Sequence, residues 1–231
     1  MKAAILIDGG FLLKNLSHCR PDIDTRSAEA VDKAIGELVA NHLQRLNEVA
    51  RLPDYRALLY RCFYYDARPY LKKGHYPVSG KSIDYAKSDE ATFRLALFDR
   101  LRHKSNFAVR LGEVRRERDW ILKEDAQKAL LRGKRTVADL TDNDFTPGLR
   151  QKAVDMRIGV DIASITLKKQ ADTIVLVSGD ADFVPAAKLA RREGVRIILD
   201  PLWRKVAPDL FEHIDGLRSG FPQPQAAIHG A

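Results

Sequence analysis

Short apolar runs alternate with amphipathic stretches along this chain, and the strongest runs end on an acid. Ala3-Ala4-Ile5-Leu6-Ile7 stops at Asp8-Gly9-Gly10, and Thr173–Ser178 stops before Gly179-Asp180-Ala181-Asp182. Continuous rather than alternating apolar runs are what parallel strands covered on both faces require. Tyr55–Tyr65 predicts a further strand, closed by Asp66 and stopped at Pro69; Phe107–Val114 and Val195–Leu199 predict two more. Helical spacing runs from Ser27 to Arg51, where Ala30, Val31, Ala34, Leu38, Leu43 and Leu46 share a face and Ser27 is the N-cap. Phe93, Leu97 and Leu101 mark a helix over Asp89–His103, and Gln151–Gln170, Pro185–Arg192 and Asp209–Leu217 predict three more. Phe11–Leu16 begins a helix or turn that Pro21-Asp22 breaks.

Strands alternating with helices imply an α/β fold: a three-layer α/β/α sandwich around a mostly parallel, doubly wound sheet. Lys72–Asp84, punctuated by Gly74, Pro77 and Gly80, reads as a loop. Arg115–Asp144 is charged and reads as an irregular excursion. Residues 72–150 are therefore expected to form a central insertion in a single domain spanning residues 1–218, and residues 219–231 a flexible tail. No stretch approaches the ~18–20 continuous apolar residues of a membrane helix. The start lacks the pattern of a signal peptide. Cys19 and Cys62 are isolated, which predicts neither a disulfide framework nor a zinc knuckle. A cytoplasmic protein with no membrane partner is expected.

The chain carries a net charge of +8, a field that gathers polyanions, nucleic acid above all, although it also serves plain solubility. Residues 72–150 hold 18 Lys and Arg against 12 Asp and Glu, so most of the excess lies away from the paired aspartates.

Asp155 and Asp161 stand on the predicted helix to either side of the stripe Ile158, Ile162 and Ile165, each about 60° from it at ~100° per residue. Either acid has a simpler use: Asp161 as an i,i+4 partner of Arg157, Asp155 as an N-cap. Asp180, too, is placed to cap the helix that follows it. Together, however, Asp8, Asp155, Asp161, Asp180 and Asp182 come from three elements that a doubly wound sheet brings together. Packed carboxylates raise one another's pKa unless a cation neutralises them. Mg2+ or Mn2+ suits Asp8, Asp155, Asp161 and Asp180 as oxygen ligands, and hydrolysis of a phosphodiester is the reaction that follows.

Three segments carry a resemblance: Ile7-Asp8-Gly9-Gly10-Phe11, Lys152-Ala153-Val154-Asp155, and Ser178-Gly179-Asp180-Ala181-Asp182-Phe183. They resemble, in order, the three motifs of the NYN domain, which includes the LabA-like bacterial proteins and belongs to the PIN-like nuclease superfamily. Tyr64-Tyr65-Asp66-Ala67-Arg68-Pro69 is similar to that family's second strand and its exit. The resemblance implies a metal-dependent ribonuclease with Asp8, Asp155 and Asp180 as motif acids. Asp161 matches the third acidic position of the wider superfamily, and Asp182 the second acid of the last motif. The chain departs from the pattern at Gly10 and Phe11, where many relatives carry Asn.

Single-stranded RNA is the expected partner, with Arg115, Arg116, Lys134, Arg135, Lys152 and Arg68 as backbone contacts; solvated charged loops are the alternative. A homodimer is a further expectation. Tyr60, Phe63, Tyr64, Tyr65 and Tyr70, set among Arg61 and Arg68, are either strand core or a stacking platform for bases. Two rival functions remain. A non-catalytic, RNA-binding regulatory protein would keep the fold without the chemistry. A haloacid-dehalogenase-type phosphatase would need a second acid where Gly10 stands.

Overall fold

In a computed structural model, which describes residues 1–224, the elements run in the order expected, with several changes of boundary. They are β1 (Ala3–Asp8), α1 (Gly9–Cys19), α2 (Ala28–Ala50), β2 (Leu59–Arg68), β3 (Lys73–His75), β4 (Ser82–Asp84), α3 (Asp89–Arg102) and β5 (Phe107–Leu122). There follow α4 (Glu124–Leu131), β6 (Phe145–Lys152), α5 (Val154–Leu167), β7 (Thr173–Val177), α6 (Val184–Arg192), β8 (Arg196–Asp200), α7 (Pro208–Phe211) and β9 (Gly216–Leu217). Seven strands make one mixed, mostly parallel sheet in the order β6-β5-β2-β1-β7-β8-β9, flanked by helices in the manner of a three-layer PIN-like fold. Its neighbours β2, β1, β7, β8 and β9 are all parallel, while β5 and β6 pair antiparallel.

The chain divides into two compact units. The first comprises Met1–Asp66, Ala96–Leu111 and the chain from Ala153 onward. Its centre is β1 and β7, whose apolar residues are buried throughout, as strands covered on both faces must be. Ile158, Ile162 and Ile165 of α5 are buried, in agreement with the predicted stripe. Ser27 caps α2 as expected, its hydroxyl accepting from the Ala30 amide at 3.2 Å. Residues 96–111 belong here, although they fall inside the expected insertion. Phe98 packs its ring against Tyr64, and Lys104 reaches Asp32 of α2 at 2.7 Å.

The second unit comprises Ala67–Leu95 and Gly112–Lys152. Of the expected irregular excursion, residues 115–122 instead continue β5, which pairs antiparallel with β6 as a ribbon, Arg115 opposite Arg150 and Leu122 opposite Phe145, while the rest holds α4 and short 3-10 turns. That stretch of β5 is charged on both faces, so it lacks the apolar alternation by which a half-buried strand is read. Gln151 and Lys152, expected in a helix, end β6. The expected loop over 72–84 contains the small hairpin β3–β4. Tyr76 stacks on Trp120 at 5.9 Å between centroids, and Asp142 accepts from the amides of Val78 and Ser79 at 3.0 and 3.1 Å.

Two further boundaries moved. Tyr55–Leu58 is a turn of 3-10 helix capped by Asp54, so β2 begins at Leu59 and runs on to Arg68. The predicted helix over 209–217 is only α7, after which Gly216 and Leu217 pair with Ile198 and Leu199 of β8. Nor do residues 219–221 fray. Asp200, fully buried at the end of β8, accepts from the Ser219 hydroxyl at 2.9 Å and the Gly220 amide at 2.8 Å. The same carboxylate accepts from the Leu202 amide and meets His42 Nε2, each at 2.8 Å. Phe221 is buried, and its carbonyl accepts from Trp203 Nε1. The rest of the expected tail, 225–231, lies outside the described residues. Cys19 and Cys62 are free and buried, and burial pushes the Cys19 thiol up to about 11.

Losing one member of a buried, fully bonded charged network strands the others, at a cost of roughly 3–5 kcal/mol. Asp200→Ala is expected to lower unfolding free energy in urea by about that amount, and to open the Leu202 and Gly220 amides to hydrogen exchange. A loss under about 1 kcal/mol, the net worth of one ordinary hydrogen bond, would contradict this account.

Candidate active site

Parallel pairing sets Ile7 beside Val177, so β1 and β7 end at one level and release their turns side by side. Asp8 follows Ile7 at once. Its Oδ1 accepts from the Phe11 amide at 3.0 Å and caps α1, which therefore begins two residues earlier than the sequence suggested. Its Oδ2 accepts from the Ser178 hydroxyl at 3.4 Å. Ser178 also accepts from the Asp180 amide at 3.3 Å. Asp180 in turn caps the 3-10 turn Ala181–Phe183, its Oδ1 accepting from the Asp182 amide at 2.9 Å. Capping thus occupies one oxygen of Asp8 and one of Asp180 and leaves Asp180 exposed.

The two turns tolerate no side chain where they meet their neighbours. A Cβ on Gly9 would lie 2.5 Å from the Tyr64 ring and 2.7 Å from the Tyr65 carbonyl oxygen. One on Gly179 would lie 2.8 Å from the Phe11 ring. Phe11, where the motif departs from its pattern, therefore covers the third motif's glycine.

The third acid comes from α5. Its N-cap is not Asp155 but Ala153, held at φ 65°, ψ 18° with no side-chain cap bond. A left-handed non-glycine costs about 1–2 kcal/mol, and here it turns β6 sharply into the helix. Asp155 then stands in the first turn, where the helix dipole favours a carboxylate. Burial, then Asp180 and Asp182, push its carboxyl above the ordinary 3.8. Asp8 is also raised, mainly by burial and further by Asp155 and Asp66; the Phe11 amide and Ser178 hydroxyl hold it back. Four of the five expected acids, Asp8, Asp155, Asp180 and Asp182, thus share one electrostatic neighbourhood.

Asp161 does not join them. Tyr65 donates its hydroxyl to Asp161 Oδ2 at 2.8 Å, and Arg110 Nε stands 3.4 Å from the same oxygen. Asp161 follows Asp155 by six residues, about 9 Å along a helix axis, and its partners are Tyr65 and Arg110 rather than another acid. Angle alone had suggested otherwise. The acid that sequence reasoning passed over is Asp66, fully buried at the end of β2, where Tyr65 pairs with Asp8. Its signal was available, since β2 is another apolar run closed by an aspartate.

The expected RNA contacts all lie in the second unit. Most are engaged there: Arg115 with Glu113, Arg116 with Asp119, Lys152 and Arg150 with Glu117. Arg135 grips both oxygens of Asp144 at 2.8 Å and holds its carboxyl well below the usual range. Arg68 and Lys134 are exposed. The aromatic cluster is strand core at Phe63, Tyr64 and Tyr65, all buried.

The NYN domain family matches residues 97–210, which contain the second and third acidic segments but not Asp8. The chain carries an NYN domain. An uncharacterized protein of Methanocaldococcus jannaschii is 30% identical over 63 residues, or 27% of this chain and 26% of that protein. The match thus spans about a quarter of that relative's length. A crystal structure of a protein of unknown function from Vibrio parahaemolyticus has a TM-score of 0.39 and 17% identity, covering 95% of this chain and 94% of that one. So low a score carries no argument.

Asp8, Asp155, Asp180 and Asp182 are all hard oxygen donors, of the kind a divalent cation takes. Among the described residues, no group of three or more acids, histidines or cysteines is placed to surround an ion. Magnesium commonly takes only one or two carboxylates and completes its shell with water and substrate phosphate, so the donors fit that mode rather than an all-protein cage. Among the described residues, no helix is long and apolar enough to cross a membrane.

A carboxyl raised in the folded state favours folding below its unfolded pKa, and that advantage is lost as pH climbs through the raised value. Asp8→Asn keeps an oxygen for the Phe11 amide and removes the buried charge. The variant is expected to melt about 2–4 °C above wild type at pH 7, the shift that about 1 kcal/mol produces at this size. The gap should close below about pH 4 in the same series. A lower melting temperature at pH 7 would show that the charge is compensated.

Proposed function

We propose that the chain is a metal-dependent ribonuclease that hydrolyses phosphodiester bonds of single-stranded RNA. The observation that carries this reading is that β1 and β7 end level and Ser178 links Asp8 to the turn of Asp180 and Asp182, with Asp155 in the first turn of α5. Asp8, Asp155 and Asp180 would hold Mg2+ or Mn2+, which when bound supplies positive charge for the phosphoryl oxygens and acidifies a water. The Phe11 amide and Ser178 hydroxyl orient Asp8. Asp182, exposed beside Asp155, is the carboxylate available to take a proton from the attacking water.

Asp8→Asn, Asp155→Asn and Asp180→Asn are each expected to slow cleavage of single-stranded RNA on the order of a hundredfold, with EDTA abolishing it in wild type. Full activity in EDTA, or in the triple variant, would overturn the reading. Tight RNA binding without cleavage under any divalent cation would favour a regulatory, non-catalytic protein.

The basic ribbon makes a separate prediction. Charge reversal at Arg115, Arg116, Lys134 and Arg135 is expected to weaken binding of single-stranded RNA to the Asp180→Asn protein. It should also flatten the salt dependence by about 0.7 in log K against log salt per lost phosphate contact. An unchanged slope would mean that these side chains serve only their internal ion pairs.

A further inference from the structure

Among the exposed residues of α5, beside Asp155 and Arg157, two large apolar side chains stand one turn apart: Met156 is 73% exposed and Val160 60%. Both line a cleft of about 380 Å³ together with Ala153, Arg157, Asp161 and Arg110. This size is within the range of small-molecule sites. Arg110 is fixed there from two directions. Asp161 holds its Nε, and the guanidinium carbon lies 5.6 Å from the centroid of the Phe63 ring. Asp161 is itself held by Tyr65, whose ring stacks on Phe63 at 6.2 Å. Phe63 is buried and does not line the cleft, so it backs the guanidinium on the side away from the opening.

The product is a planar cation, 47% exposed and paired with Asp161, at the wall of a cleft that mixes apolar and charged side chains and has a second cation, Arg157, in its lining. A planar guanidinium stacks on aromatic faces, and a thioether packs well against them. An apolar peptide would use neither the open face of the Arg110 guanidinium nor the charge of Arg157, whereas a nucleotide offers a flat ring and a phosphate together. We propose that this cleft binds one base of single-stranded RNA, stacked on Arg110 and packed against Met156, with the adjoining phosphate at Arg157. Asp161 is then a positioning residue for Arg110. The proposal rests on the ribonuclease reading in that Met156 adjoins Asp155, which places the bound base next to the bond to be cut.

The test uses the full chain carrying Asp155→Asn, so that binding is read without cleavage. Two fluorescein-labelled six-nucleotide probes are compared by anisotropy: oligoadenylate, and the same ribose-phosphate chain with abasic sites. Base stacking predicts that the base-bearing probe binds on the order of tenfold more tightly. Arg110→Lys keeps the charge and loses the plane; Met156→Ala alters an exposed residue and spares the core. Each is expected to bring the ratio of affinities towards one, and Arg110→Lys should leave the salt slope unchanged. Equal affinity for the two probes, no binding of either, or a ratio untouched by both variants would overturn the proposal. A base preference that depends on Arg110, in a chain whose wild type never cleaves RNA, would sink the ribonuclease reading and leave this site standing.

Discussion

The pairing of Ile7 with Val177 ends two fully buried strands at the same level, and the turns that follow must leave the sheet in contact. Neither turn has room to spare. Gly9 leaves against the Tyr64 ring and Gly179 leaves under the Phe11 ring, so a methyl group at either place would collide. Close approach is also what puts the Ser178 hydroxyl within reach of Asp8. The geometry of the acids is thus a consequence of strand register and of two missing side chains. Phe11 matters here in a way its departure from the family pattern hides: it forms the contact that seats the third motif against the first.

That arrangement carries an electrostatic cost which the fold meets only in part. Asp8 receives an amide and a hydroxyl bond, yet burial and the neighbouring Asp155 and Asp66 still raise its carboxyl. Asp200, at the end of the next strand, shows the contrast. It is more deeply buried but is surrounded by donors from Leu202, Ser219, Gly220 and His42. One strand-end aspartate is satisfied from within the protein, and it ties down residues 219–221. The other is left with unmet charge facing more acids. A site that must accept a cation is expected to be of the second kind.

Much of this was legible along the chain, for reasons particular to each element. The runs at 3–7 and 173–177 had no polar residue to confuse them, and Ser27 announced α2 by its place before the first apolar position. The first half of β5 was read at Phe107–Val114, but its second half runs charge after charge and β6 carries Pro147 and Gly148 with little burial, so the ribbon they form was illegible. Asp161 was placed by helical angle alone, which could not show that Tyr65 and Arg110 would engage it. The Asp200 network was out of reach for another reason: His42 and Asp200 stand 158 residues apart, and no local pattern links them. Asp66 was read as the end of a strand, although it obeyed the same rule that singled out Asp8.

Separating Asp161 from the other acids changes what α5 does. Its first turn faces the strand ends with Asp155, while one and a half turns further on Asp161 meets β2 and β5 through Tyr65 and Arg110. Between them Met156 and Val160 remain exposed. Exposed apolar side chains on a helix are ordinary one at a time; two in successive turns, beside a guanidinium held by both an acid and a ring, are not. Asp161 and the Phe63 ring give Arg110 two contacts in the free protein, which lowers the cost of immobilising it on binding. Arg110 supplies the countercharge for Asp161 that the neutral Tyr65 hydroxyl cannot. This placement, beside both the acid and the ring, is what the proposed base-binding role of Arg110 rests on.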